Sequence, residues 1–311
     1  MPSFPTHRPF HLSETSLSRK DLCQLHARGD LRRLLRGVYA DPNLPDTLSL
    51  RAQALALVVP ARMVVTDRTA AWLHGVDLLR PDEVDVVPPV SVFHSGRGRR
   101  SLRGEVRSGQ RFMGDVDVMS IDGVRVTTPL RTALDLGRLE HRDRSFAALD
   151  AFLRFGVDRE RLLRQVERFK GYRGVCQLRT LAPLADPRSQ SPAESITRLR
   201  WYDAATPYPD LQVPVSGPGG LTWYLDLGVR ELYFAVEYDG EQWHDSPAQR
   251  RRDERRRRWI ATNTPWMLKV VRRHHVFGKQ QSLDVLLPQW IADAKRTLGQ
   301  RLIRHARRQS G

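Results

Sequence analysis

Two carboxylates stand inside stretches that otherwise read as buried strands. Leu232 to Tyr238, LYFAVEY, is rich in aromatic and branched residues and carries Glu237 near its end; the preceding run from Leu221 carries Asp226. A lone carboxylate in such a setting is costly unless it takes up a proton or meets a counter-charge. Side chains alternate along a strand, so Glu237 and Asp239 share one side while Tyr238 faces the other. A hairpin through the break at Gly228 to Glu231 brings Asp226 to the same edge. Three carboxylates converging there repel one another, and a hard divalent cation such as Mg²⁺ or Mn²⁺ bound through oxygen resolves the repulsion. The alternative is a buried ion network in which the guanidinium forks of Arg256 or Arg257 satisfy the acids without metal.

The arginines come from the next segment. Ser246, Pro247 and Gln249 have the spacing of an N-cap, a first-turn proline and a capping box, which predicts a helix running to about Ala261. Asp253, Arg256, Arg257 and Ile260 share one face of it, with Asp253 and Arg256 spaced as an ion pair. A carboxylate cluster beside an arginine-rich helix suits a phosphodiester: a cation activates water, and Arg250, Arg256 and Arg257 hold phosphate.

Asp226, Glu237-Tyr238-Asp239-Gly240, His244, Asp253 with Arg256, and the run Trp266 to Val271 together resemble the endonuclease domain related to very-short-patch-repair enzymes, within the PD-(D/E)xK superfamily. Ser191-Pro192-Ala193-Glu194-Ser195 is similar to that family's first helix, so the resemblance covers roughly Ser191 to Trp290. It implies catalytic roles for Glu194, Asp226, Glu237, Asp239 and His244, with Asp226 and Glu237 as metal ligands. Asp239 occupies the superfamily's usual lysine position, which leaves His244 as the substitute base. Glu194 has a second reading, as the acid of a capping box opened by Ser191.

The remainder of the chain must position these groups. Ser18 to Ala27 reads as a short helix ended by Gly29, followed by a basic piece, Leu31 to Ala40, that breaks at Gly37 into extended Val38-Tyr39. Helix, basic turn and Arg-Gly-Val-Tyr wing resemble the winged-helix start of the AbiE-type (AbiEi) antitoxin family, as does the block from Leu50 to Gly75. His74 reads as a packed or capping histidine of that block. Short strands are predicted at Val84 to Val87, Ser91 to His94, Val116 to Met119 and Val124 to Thr127, with Ser95 to Arg107 as an arginine-rich loop. Asp115 and Asp117 read as an exposed strand face. Thr128-Pro129 opens a helical stretch, and Leu181 to Ser191 reads as a linker.

These segments predict an α+β multidomain chain: a winged-helix region over 1–82, a middle region over 83–187, and a restriction-endonuclease-like mixed sheet flanked by helices over 188–311. In all, 51 Lys and Arg against 35 Asp and Glu give a formal net charge of +16, which favours DNA as the partner. No apolar run approaches a spanning length, so no membrane role is predicted, and nothing points to a small-molecule cofactor. With two cysteines far apart and no signal-peptide core, the chain reads as cytoplasmic. Two functions follow: a metal-dependent endonuclease acting on DNA, or a DNA-binding antitoxin-like regulator whose C-terminal domain does not cleave.

Overall fold

The computed structural model describes residues 4–76, 78, 90–96, 106–240 and 247–309. The predicted strand at Val84 to Val87, the boundary at 82, most of the arginine-rich loop, His244 and the cap residue Ser246 lie outside them. The chain divides into two compact units, one of Met1–Glu140 with Phe155–Pro183, the other of His141–Arg154 with Leu184–Gly311.

In the first unit, β1 (Phe10–His11) precedes α1 (Arg19–Arg28), which starts where the sequence places it. The Ser18 side chain accepts from the Asp21 amide, Asp21 answers at the Ser18 amide, and Gly29 closes the helix at φ 82°. β2 (Arg32–Leu35) and β3 (Val38–Ala40) then form a hairpin turning at Gly37, in a three-stranded sheet ordered β1-β3-β2. The basic piece before Gly37 is therefore itself a strand. Phe10, Leu22, Leu31 and Tyr39 form the small core between α1 and this sheet.

A second core is built by α2 (Leu48–Ala56), β4 (Val64–Val65), α3 (Asp67–Leu73), β5 (Val90–His94), β6 (Val106–Gln110), β7 (Val118–Ile121) and β8 (Val124–Thr127). The five strands run in the order β6-β5-β4-β8-β7, with β5·β6 and β4·β8 parallel. Pairing with β5 makes a strand of residues whose sequence reads partly as loop. Asp115–Asp117 is a 3₁₀ turn, and Asp117 is buried rather than on an exposed strand face. α4 (Pro129–Leu139) begins at the Thr128 cap as predicted. α5 (Arg142–Phe155) contributes its first thirteen residues to the second unit, while α6 (Arg159–Val166) and α7 (Val175–Leu181) return to the first. α7 packs on α4 so closely at Gly174, φ 79°, that a Cβ there would lie 1.8 Å from the Arg138 carbonyl oxygen.

The second unit continues with α8 (Pro192–Asp203), β9 (Asp210–Ser216), β10 (Thr222–Val229), β11 (Phe234–Tyr238), α9 (Pro247–Asn263), β12 (Met267–Val271), α10 (Arg273–Val276) and α11 (Leu283–Gln309). Its four-stranded sheet runs β12-β11-β10-β9, antiparallel except for the β11·β12 pair. One face packs Phe234 and Val236 against Trp201, Leu287 and Ile291 of α8 and α11. The other packs Leu225 and Ala235 with Ile260 of α9. The basic C-terminal run is part of α11, where Arg301 turns inward and donates to the carbonyls of Leu232, Tyr233 and Ala294 at 2.8 to 2.9 Å.

Candidate functional site

Glu237 sits on β11 one residue beyond Val236, so it faces α9 together with Ala235, and its side chain is only 3% exposed. α9 runs past this face and supplies Arg256 and Arg257. The Arg256 guanidinium donates to Glu237 Oε1, and that of Arg257 donates to Glu237 Oε2 at 3.4 Å and to Asp239 Oδ2 at 2.9 Å. Arg256 also reaches the Tyr224 carbonyl oxygen at 3.4 Å, and no ion pair joins it to Asp253 as the helix spacing predicts. Each oxygen of Glu237 thus holds a guanidinium. Removing the arginines would leave a buried carboxylate unpaired, so the charges on α9 are part of what makes Glu237 tolerable in the sheet.

Asp226 is held differently. Its Oδ2 accepts the Tyr238 amide at 2.9 Å across the hairpin, the convergence predicted from the two strands. Burial, then the nearby charge of Glu194, and further that of Glu237, push its pKa up to about 7, opposed by the Tyr238 amide and Arg256. Glu194 lies in the first turn of α8, where Ser191 caps its amide at 3.1 Å, but its carboxylate answers one residue earlier than a capping box would: Oε2 accepts the Gln190 amide at 2.8 Å and Oε1 the Ser191 hydroxyl at 2.9 Å. Burial raises its pKa as well, more than these bonds lower it. The structure therefore brings Glu194, Asp226, Glu237 and Asp239 into one neighbourhood. Arg256 and Arg257 are turned to the acids, and Arg250 is exposed on α9. Lys269 lies on the other face of the sheet, its ammonium 5.6 Å from the Trp290 ring centroid.

This set fits an arginine–carboxylate network. A cation at Glu237 would have to displace Arg256 or Arg257, and among the described residues no three His, Cys, Asp or Glu side chains are grouped to hold a metal. As they stand, the residues do not fit the two-carboxylate cation site predicted for Asp226 and Glu237.

A second polar cluster, in the first unit, is not foreseen by the sequence reading. Arg131 donates to Asp117 at 2.7 Å and to Asp135 at 2.9 Å, Arg138 to Asp135 at 2.9 Å, and Arg168 to Asp117 at 2.9 Å. Arg111 bridges Asp67, at 3.0 Å, and Asp135, at 3.2 Å. The spacing of Arg131, Asp135 and Arg138 on α4 is a signal that pattern reading can pick up. The partners from β6, α3 and the turn before β7 are too distant in sequence to be paired with it. His74 is buried beside this region as predicted, its Nε2 2.8 Å from the Thr127 carbonyl oxygen, and burial lowers its pKa.

Residues 63–185 match the AbiEi antitoxin C-terminal domain. Two uncharacterized proteins of Mycobacterium tuberculosis, MT2308 of strain CDC 1551 / Oshkosh and Rv2248 of strain ATCC 25618 / H37Rv, are each 33% identical over 241 residues, covering 77% of this chain and 85% of theirs. The chain belongs to their family. The match to the antitoxin domain is not confined to the N-terminal 82 residues where the resemblance is expected; it runs from β4 to α7 and includes the buried arginine cluster. Glu194, Asp226, Glu237 and Asp239 lie beyond the matched span. No solved structure gives a significant match. Among the described residues, no helix is long and apolar enough to cross a membrane.

Proposed function

We propose that the protein is a DNA-binding regulator of the antitoxin type. The observation that carries this reading is the match of residues 63–185 to the AbiEi antitoxin C-terminal domain. It is supported by the formal charge of +16, which suits a polyanionic partner, and by the N-terminal α1 and arginine-bearing β2–β3 hairpin, which offer a small basic module to a duplex. The ion-paired state of Glu237 fits the same reading, because guanidinium groups occupy the oxygens that a nucleolytic cation needs.

A second reading, the endonuclease, is favoured by one observation: Asp226, raised to about 7 beside Glu194, is short of positive charge. In that reading Asp226 and Glu237 would hold a divalent cation only after Arg256 or Arg257 had left the Glu237 carboxylate.

The experiment uses fluorescently labelled duplex from immediately upstream of the coding sequence, a scrambled duplex of equal length, and supercoiled plasmid with Mg²⁺ or Mn²⁺. The regulator reading expects preference for the upstream duplex, an affinity loss of about a hundredfold between 50 and 200 mM salt for roughly four phosphate contacts, and intact plasmid. Metal-dependent nicking that disappears in Glu237→Gln would instead establish the endonuclease. Failure to retain either duplex at 50 mM salt would refute the DNA-binding reading altogether.

A further inference from the structure

The first unit contains a cavity of about 360 Å³ whose walls include Arg107, Arg111, Phe112, Arg131, Tyr172 and Arg173. That volume lies in the range of small-molecule sites. The floor is the part of the buried network described above that reaches the cavity, where three guanidinium groups, of Arg111, Arg131 and Arg138, stand with the carboxylate of Asp67. The floor therefore carries an excess of positive charge in a water-poor setting, where charge acts more strongly than at the surface.

The upper wall differs. Arg107 and Arg173 are exposed, and neither guanidinium has an ion-pair partner among the described residues. Beside them stand two aromatic rings open to solvent, Phe112 at 73% and Tyr172 at 45% exposure. Exposed aromatic rings beside unpaired arginines inside a concavity have no evident use in folding. The guanidinium groups of Arg107, Arg111, Arg131, Arg138 and Arg173 outnumber the lining carboxylates Asp67 and Glu140, which leaves the cavity cationic on balance. Tyr172 is steadied by an edge-on contact with Phe169 and by the Arg138 guanidinium 5.8 Å from its ring centroid.

We propose that this cavity binds a nucleotide. The two open guanidinium groups receive its phosphates, and Tyr172 and Phe112 receive the planar base. A free inorganic anion would use the arginines and leave the rings idle. An uncharged aromatic compound would leave the two guanidinium groups unmet. A phosphorylated base satisfies both sets at once. Two sources share this chemistry, a free nucleotide and the unpaired end of a nucleic acid strand. The proposal concerns a different surface from the DNA-binding module of α1 and its hairpin, so it can hold or fail independently of the regulator reading.

The test is calorimetric titration of the full chain with ADP, GDP, CDP and UDP, with adenosine and inorganic phosphate as partial ligands and a single-stranded dA hexamer as the alternative source. At least one nucleoside diphosphate is expected to bind one-to-one with a Kd below about 0.1 mM, and the nucleoside or phosphate alone about tenfold or more weakly. Arg107→Ala and Arg173→Ala should each cost about tenfold in that affinity. Tyr172→Leu should also weaken binding, and all three side chains are exposed enough for the variants to keep the wild-type melting curve. A hexamer that displaces the diphosphate at equal concentration assigns the site to a strand end; one that does not assigns it to a free nucleotide. The proposal is overturned if none of the four diphosphates binds below about 0.1 mM, or if the Arg107→Ala/Arg173→Ala variant binds as well as wild type.

Discussion

Replacing Asp226 by Asn should stabilise the second unit at alkaline pH and do much less in acid. In the folded chain the Asp226 pKa lies at about 7 against an ordinary 3.8, so between those values the folded state holds a proton that the unfolded state has released. Stability contributed by this group therefore falls as pH rises through that window, and the full penalty is present above pH 7. Three pKa units correspond to about 4 kcal/mol as an upper bound. Allowing for partial solvent access at Asp226, about 1–3 kcal/mol is a realistic gain for a neutral isostere that keeps the bond from the Tyr238 amide. At about 2–4 °C per kcal/mol, Asp226→Asn should raise the melting temperature by roughly 3–8 °C at pH 8, and by less than half as much at pH 5. Tryptophan fluorescence is the assay, since six of the seven tryptophans belong to the second unit, and EDTA keeps stray cations from masking the charge. An equal shift at both pH values, or a lower melting temperature at pH 8, would refute the assignment of a buried, destabilised carboxylate.

Two further outcomes follow from buried contacts. Asp150 and Arg198 form an ion pair with both side chains fully buried, 2.6 Å apart, so Asp150→Ala should cost the second unit about 3–5 kcal/mol by urea titration. Asp150→Leu combined with Arg198→Met should recover much of that, because no charge is then left uncompensated. Gly174→Ala should disrupt the packing of α7 on α4, since its Cβ would overlap the Arg138 carbonyl, and amide exchange should speed up in both helices. Retained protection there would show that the close approach can relax.

What the sequence by itself determined lies within a few residues of its signal. Ser18 with Asp21, Thr128 with Arg131 behind the first-turn Pro129, and Ser191 with Glu194 mark helix starts because the side chain and the orphan amide it satisfies are three residues apart. The apolar runs around Asp226 and Glu237 placed both acids on neighbouring strands, because alternation and the break between them are also local. Chain separation hid the rest. β6 extends a run read partly as loop, since pairing with β5 outweighs its glycine and arginine content. Asp117 is buried because Arg131 and Arg168, the latter 51 residues away, reach it.

At the acid cluster both a cation and an arginine network were compatible with the residue types. Only the fold brought Arg256 and Arg257 to the carboxylate, by laying α9 along the Glu237 face of the sheet. The nucleotide-sized cavity has no sequence motif at all, because its walls come from five separated segments whose charges meet only after the chain has folded. Capping and alternation act over one turn or one pleat, whereas ion pairing in a dry interior acts between whichever groups tertiary packing brings within a few ångströms.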